Sequence, residues 1–310
     1  MRTVLRRIRF WLEYAALGSL FWISRLFPRS VLLAWGRWLG SVTYGVLRTR
    51  RRVVLTNLRA AFGHEKNEQE LQQLAFDFYR QLGMTLMEFF TLHSLSREDI
   101  RELVTLEGTE HLESCRELGR GAMLTSGHFG NWELLGAVIA AHGYPVHYLI
   151  KSQSNPYVDR MHNDIRARAG IGVIRQGASV RHLVYALRRN ELVGILGDQD
   201  AGNQGLFMDF LGQEASVARG PAYMAFRTGC PVIPTAIIRQ PDGRHRVIIK
   251  PPIQPDPTWN EERAVYELTR AHTAQLEQFI RQFPEQYFWV HRRWKTKSPA
   301  PVAVTESNPG

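Results

Sequence analysis

Apolar positions along the chain follow two spacings, and the switches between them mark out the elements. Asn67–Leu92 carries Leu71, Leu74, Phe78, Leu82, Leu86 and Phe89 three or four residues apart, which lines one face of a helix. A short strand is predicted over Val104–Glu107 and a helix over Glu110–Leu118. Gly121–Thr125 (GAMLT) then reads as a buried strand, Ser126–Asn131 as a tight glycine-containing loop, and Trp132–Ala141 as a helix closed near Gly143. The rhythm continues with strand Val146–Ile150, an Asn155-Pro156 loop, helix Tyr157–Ala169, a short strand at Val173–Ile174, helix Val180–Arg189 and strand Leu192–Leu196. After a glycine-rich loop come helix Gly220–Arg227, strands Val232–Ile238 and Arg246–Ile249, and an amphipathic helix over Glu261–Phe283. Alternating strands and helices predict an α/β fold with a mixed, partly parallel central sheet flanked by helices. No segment repeats another.

The first sixty residues depart from this rhythm. Phe10–Phe27 is apolar and aromatic but interrupted by Glu13 and Arg25, and Val31–Leu47 is broken by Arg37. A bilayer core takes roughly 20 apolar residues, so the first stretch is near the minimum for a span. Spanning once and lying in one leaflet are both open. Trp11, Tyr14, Trp22, Trp35, Trp38 and Tyr44 are amphipathic aromatics that favour the headgroup layer. A helix pair packed on the main domain is the competing reading, and no cleaved leader is expected.

Charge sharpens the picture. The formal net charge is +10, yet residues 1–60 alone hold twelve arginines, no lysine and a single acid, Glu13. The remainder is close to neutral. A nucleic-acid binder would carry its basic face across the main domain, so no nucleic-acid partner is expected. A basic, aromatic N-terminus instead suits anionic membrane lipid. The expected organisation is an N-terminal hydrophobic membrane-anchoring helical segment over 1–47, a main domain over 48–297 and a disordered tail over 298–310 that starts Ser-Pro-Ala-Pro. Cys115 and Cys230 are too few for a disulfide framework and fit a reducing compartment.

Candidate chemistry gathers at strand ends. His128 and Glu133 lie in SGHFGNWE, at the turn between a buried strand and a helix, where polar groups of open α/β sheets commonly face a ligand crevice. A histidine there can take a proton from a hydroxyl near pH 7. Glu133 is within reach of the imidazole if the loop turns into the helix, and would then fix its tautomer. Backbone amides around Phe129–Asn131 are candidate oxyanion donors, which makes Gly130 and Asn131 candidate substrate-binding residues. A capping histidine with Glu133 as a first-turn acid fits the same spacing. No G-x-S-x-G elbow occurs and Ser126 sits too close to His128 for a Ser–His pair, so the residues favour direct attack by a substrate hydroxyl over a protein nucleophile. Asp198 and Asp200 follow another strand and can orient a hydroxyl, hold a cation, or belong to a solvated turn. Arg166 and Arg168 are available for phosphates or for solvent. PEQYFWVHRRWK, over 284–295, interleaves aromatics with cations, as a headgroup contact or as a strand packed on the core.

SGHFGNWE matches the H-x4-D/E box of the glycerolipid acyltransferases, and its form resembles the late lipid A acyltransferase family, lauroyl/myristoyl type. The Asn155-Pro156 loop followed by Arg166, the GDQD stretch at 197–200, TGCPVIP at 228–234 and PEQYFWVHRRWK occur in that family's order and extend the likeness over nearly the whole chain. The resemblance implies a membrane-bound O-acyltransferase at the cytoplasmic face of a bacterial inner membrane. It further implies an acyl carrier protein thioester as donor, a lipid A precursor as acceptor, and neither cofactor nor metal. Residue by residue, it makes His128 the base, Glu133 its partner, Arg166 a substrate contact, and Asp198 or Asp200 the acid of the aspartate stretch. Competing readings are the same chemistry on another glycolipid or aminolipid (acyl-CoA donor, phosphatidylinositol mannoside-like acceptor), a metal-dependent hydrolase using His128, Glu133, Asp198 and Asp200, and a lipid-binding protein without activity.

Overall fold

The computed structural model describes residues 2–177 and 180–299. Helices α1 (Arg2–Ser24), α2 (Arg29–Val42), α3 (Arg51–Phe62), α4 (Glu68–Thr91) and α5 (Arg97–Leu103) precede the sheet. Helix α4 starts at a reciprocal cap: the Asn67 side chain accepts from the Glu70 amide, and the Glu70 carboxylate accepts from that of Asn67. Then follow β1 (Val104–Glu107), α6 (Thr109–Glu117), β2 (Ala122–Ser126), α7 (Trp132–Ala141), β3 (Val146–Ile150), α8 (Pro156–Arg168), β4 (Ile171–Arg175), α9 (Val180–Arg188) and β5 (Leu192–Leu196). A hairpin, β6 (Leu206–Phe210) and β7 (Gln213–Val217), precedes α10 (Gly220–Thr228), β8 (Val232–Arg239), β9 (His245–Ile249) and α11 (Glu261–Gln282).

Seven strands form one sheet in the order β1-β9-β8-β2-β5-β3-β4. All neighbours are parallel except β8 and β9, so the sheet is mixed and mostly parallel, as the alternation predicts. Central strand β2 is buried on both faces, which its unbroken apolar run requires. Leu124 joins Leu134, Ile139, Tyr148 and Ile233 beneath α7, whereas the adjacent Met123 joins Leu187, Val193, Val232 and Leu268 on the opposite side. A third cluster unites Val54, Leu58, Phe62, Phe78, Phe279 and Trp289 from α3, α4, α11 and the C-terminal segment.

The N-terminal segment narrows the readings the sequence leaves open. No described helix is long and apolar enough to cross a membrane. Instead α1 packs on α4 and α8, and α2 lies across α4. That crossing is backbone on backbone: a Cβ added to Gly40 would sit 2.1 Å from the Tyr79 carbonyl oxygen, and one added to Gly83 2.1 Å from that of Gly36. Trp11, Leu12, Trp22, Leu26 and Trp38 point outward from this pair, each more than 60% exposed. Two features escaped the pattern. The β6–β7 hairpin falls in the stretch expected to be loop, and α3 is a short helix whose arginines mask its buried face of Val54, Leu58, Ala61 and Phe62. Of the expected tail, Ser298 donates to Glu214, and residues 300–310 lie outside the described residues.

Candidate active site

Strand order brings the two strongest candidates together. Strands β2 and β5 are parallel neighbours with Ser126 beside Leu196. His128 and Asp198 each stand two residues beyond those partners, side by side at the carboxyl end of the sheet. The Nδ1 of His128 lies 2.8 Å from Oδ1 of Asp198, and the His128 amide donates to Oδ2 at 3.0 Å. Asp198 is buried. Burial alone would raise its pKa, but the charge and hydrogen bonds of His128 overcome this and hold it below the ordinary carboxylate range. Burial likewise works to lower the imidazole pKa, and the Asp198 charge and hydrogen bond, with a smaller contribution from Glu133, hold it above the ordinary value. Carboxylate on Nδ1 places the ring proton there and leaves Nε2 as the basic nitrogen. The imidazole keeps 21% of its side-chain surface open and is flanked by Trp132 and Phe288, ring centroids 5.2 and 5.5 Å away.

The loop that carries His128 is clamped from below. The Phe129 amide donates to the Gly127 carbonyl, the Gly130 amide to the Gln286 carbonyl, and the Phe288 amide to the His128 carbonyl. Gly130 has φ +57°, and a Cβ there would sit 1.9 Å from the Ile237 carbonyl oxygen, so only glycine fits. Asn131 caps α7 by accepting from the Leu134 amide and donates its own amide to Oε2 of Glu88. Glu88 is buried and also takes Arg239 at 2.6 Å and Arg29 at 2.5 Å. The Phe129 and Gly130 amides and the Asn131 side chain, among the candidates for substrate contact, are thus paired within the protein and shape the turn.

Glu133 is not the hydrogen-bond partner of His128. It forms a two-pronged pair with Arg166 of α8, Nε to Oε2 at 2.9 Å and Nη2 to Oε1 at 2.5 Å, with both side chains about one-tenth exposed. Burial opposes the Arg166 charge, but the Glu133 hydrogen bonds raise its pKa above the ordinary value. The expected phosphate ligand is therefore tied to the expected catalytic acid, and together they brace α7 on α8. Asp200 stands apart. It accepts from the Thr296 hydroxyl at 2.9 Å, and its backbone amide donates to Nε2 of His291. The four residues offered for a metal hydrolase do not converge, and no group of three or more metal-ligating side chains occurs among the described residues.

The aromatic residues and Arg293 of the 284–295 segment pack into the core, while Arg292 and Lys295 stay exposed. Tyr287 and Trp289 are buried, Arg293 is 2% exposed with its Nη1 on the Ser216 carbonyl, and Phe288 covers the imidazole. Sequence reasoning missed Glu88, whose one signal is an acid embedded in the apolar run MTLMEFF. It also missed Gln286, whose carbonyl holds the loop.

The family described as bacterial lipid A biosynthesis acyltransferase matches residues 2–296. The chain is 28% identical to the lipid A biosynthesis palmitoleoyltransferase of Escherichia coli K12 over 292 residues, covering 93% of this chain and 92% of the other. It is 27% identical to the lauroyltransferase of the same organism, covering 95% of each. A phosphatidylinositol mannoside acyltransferase of Mycobacterium tuberculosis is 26% identical over 160 residues, 49% of this chain and 50% of that one. The crystal structure of the 1-acyl-sn-glycerophosphate acyltransferase from Thermotoga maritima superposes with a TM-score of 0.40 at 15% identity, covering 81% of this chain and 95% of the other.

Proposed function

The chain belongs to the bacterial lipid A biosynthesis acyltransferase family, and on that premise we propose that it transfers a fatty acyl chain from an acyl carrier protein thioester to a hydroxyl of a lipid A precursor. The observation that carries the mechanism is the His128–Asp198 pair, which leaves Nε2 as the basic nitrogen of a ring with 21% of its side-chain surface open. The acceptor hydroxyl gives its proton to Nε2 as its oxygen attacks the thioester carbonyl. The tetrahedral intermediate then collapses, expelling the thiolate, which takes the proton back from the imidazolium. Products are an ester and a free thiol, with no metal or cofactor. With the Phe129 and Gly130 amides already used, the first-turn amides of α7 at Trp132 and Glu133 are the donors assigned to the oxyanion. Glu133 acts at one remove, adding its charge to the field on His128 and fixing α7 through Arg166.

The outward apolar residues of α1 and α2 and the arginines around them suit an interfacial attachment to an anionic leaflet, on the cytoplasmic face of the inner membrane. The test incubates the purified chain with acyl carrier protein thioesters or acyl-CoA, against a lipid A precursor or a phosphatidylinositol mannoside, and weighs the products. A mass increase of one acyl chain on the lipid A precursor, donor-dependent and reduced about 10²–10⁴-fold in His128→Ala, is expected. Turnover preserved in a folded His128→Ala protein would remove the base assignment. Acylation of the mannoside alone would transfer the reading to the other acceptor.

A further inference from the structure

Beside Asp198 the protein holds a small cavity of about 20 Å³. Its lining includes Thr125 and Ser126 of β2, Asp198, Thr235 of β8, His272 of α11 and Arg293 of the C-terminal segment. Ten buried side-chain nitrogen and oxygen atoms among the described residues have no partner in the protein, and four of them belong to residues lining this one cavity. They are Thr125 Oγ1, Ser126 Oγ, His272 Nε2 and Arg293 Nε. A buried polar atom left without a partner is costly, so four on residues lining one space is not a neutral arrangement. The volume is what one water needs, and a water requires two to four polar partners.

We infer that this cavity is a structural water site, and that the water joins His272 to the Asp198 carboxylate, which makes His272 a positioning residue for the His128–Asp198 pair. The water accepts from the Nε–H of Arg293 and from a hydroxyl of Ser126 or Thr125, and donates to His272 and to Asp198. Asp198 has the capacity to accept it: each of its oxygens takes one hydrogen bond from His128, leaving lone pairs on both. His272 suits the role because burial holds its pKa down to about 4, so near neutral pH it brings no charge next to the carboxylate. The other ionisable groups acting on the pair are Glu133 on the imidazole, and Tyr287, His291 and Arg293 around Asp198. None of them supplies the hydrogen bond the water gives.

The inference rests on His128 being the base, and its test separates the two. A high-resolution crystal structure of the full chain decides the water directly. Density within hydrogen-bond distance of His272 Nε2 and at least one of Asp198, Ser126 or Arg293 is expected, and a dry cavity overturns the site whatever the chemistry of His128. His272→Phe, which fills the space, is compared with His272→Gln, which keeps a polar atom. Losing a donor concentrates the Asp198 charge on the imidazole, so His272→Phe is expected to move the acid limb of the kcat/KM profile to higher pH. It should also lower kcat by about 10-fold or more, the lower end of what one hydrogen bond to a charged group is worth. His272→Gln should stay near wild type. A limb that does not move upward in His272→Phe overturns the positioning role, and Ser126→Ala gives the same readout if the Phe variant does not fold.

Discussion

Asp198→Asn is the sharpest test of the active-site geometry, because it changes one charge and almost no volume. Asp198 now accepts twice from His128, at Nδ1 and at the backbone amide, 2.8 and 3.0 Å away. An asparagine can accept only one of these. If its NH2 group faces Nδ1, the ring must accept there and carry its proton on Nε2, and the base is lost. If the NH2 group faces the backbone, two donors oppose each other inside a buried site. Losing a charge-assisted hydrogen bond alone is worth about 1.5–3 kcal/mol, roughly 10- to 150-fold in rate. The wrong tautomer adds to this, so kcat/KM should fall about 10²–10⁴-fold. The pH profile carries the sign. In the wild type the His128 pKa lies above its ordinary value, so activity falls as pH drops through a limb above about 6.5. Without the Asp198 charge, burial is the larger influence left, and the limb of the residual activity should move below that. Steady-state kinetics from pH 5 to 9, with circular dichroism as a folding control, measures both. Glu133→Gln is the comparison, since Glu133 pairs with Arg166 and not with the imidazole. A larger defect in Glu133→Gln than in Asp198→Asn, or an Asp198→Asn profile that keeps both rate and limb, would refute the assignment.

The remaining predictions concern packing. Arg166→Met leaves Glu133 as an unpaired, nearly buried acid and should lower stability to urea by about 3 kcal/mol, whereas Glu133→Gln with Arg166→Met should recover much of that loss; additive single effects would show the pair to be uncoupled. Gly40→Ala places a methyl group 2.1 Å from the Tyr79 carbonyl oxygen, so α2 must move off α4, at a cost of about 1–3 kcal/mol, and limited proteolysis should cut between α2 and α3 faster than in the wild type. Unchanged cleavage there would mean that the crossing accommodates the methyl group.

Much of the fold was legible because the sheet is mostly parallel. Strands buried on both faces are written as continuous apolar runs, and crossover helices as amphipathic stretches between them, so Val146–Ile150, Leu192–Leu196 and Trp132–Ala141 fall where the pattern puts them. The β6–β7 hairpin was hidden because each strand is five residues long and its turn is Leu211–Gly212, with Leu211 at positive φ where Asn-Gly or Asp-Gly would signal a hairpin. An amphipathic N-terminus is ambiguous for a different reason. Whether Phe10–Phe27 crosses a bilayer or lies along a domain depends on what packs against it, and the glycines that let α2 meet α4 signal only a close approach, not its partner.

The site was legible as a set of residues and not as a set of pairs. His128, Glu133 and Asp198 follow strands or open a helix, so each could be placed at the carboxyl end of the sheet from local pattern alone, whereas Arg166 lies in the last turn of α8. Which acid meets the imidazole depends on strand order. Seventy positions separate His128 from Asp198, with β3 and β4 between them in the chain, yet β5 inserts beside β2 and brings the two loops together. Proximity in sequence instead favoured Glu133, five residues on. That ranking fails because α7 begins at Trp132, and a first-turn side chain on a helix directed away from the crevice reaches the neighbouring helix sooner than the loop behind it. The geometry gives the two ends of the H-x4-E box different partners: the histidine pairs with an acid from a distant strand, and the glutamate with Arg166. On the mechanism proposed above, the first does the chemistry and the second fixes the helix whose first amides are assigned to the developing charge.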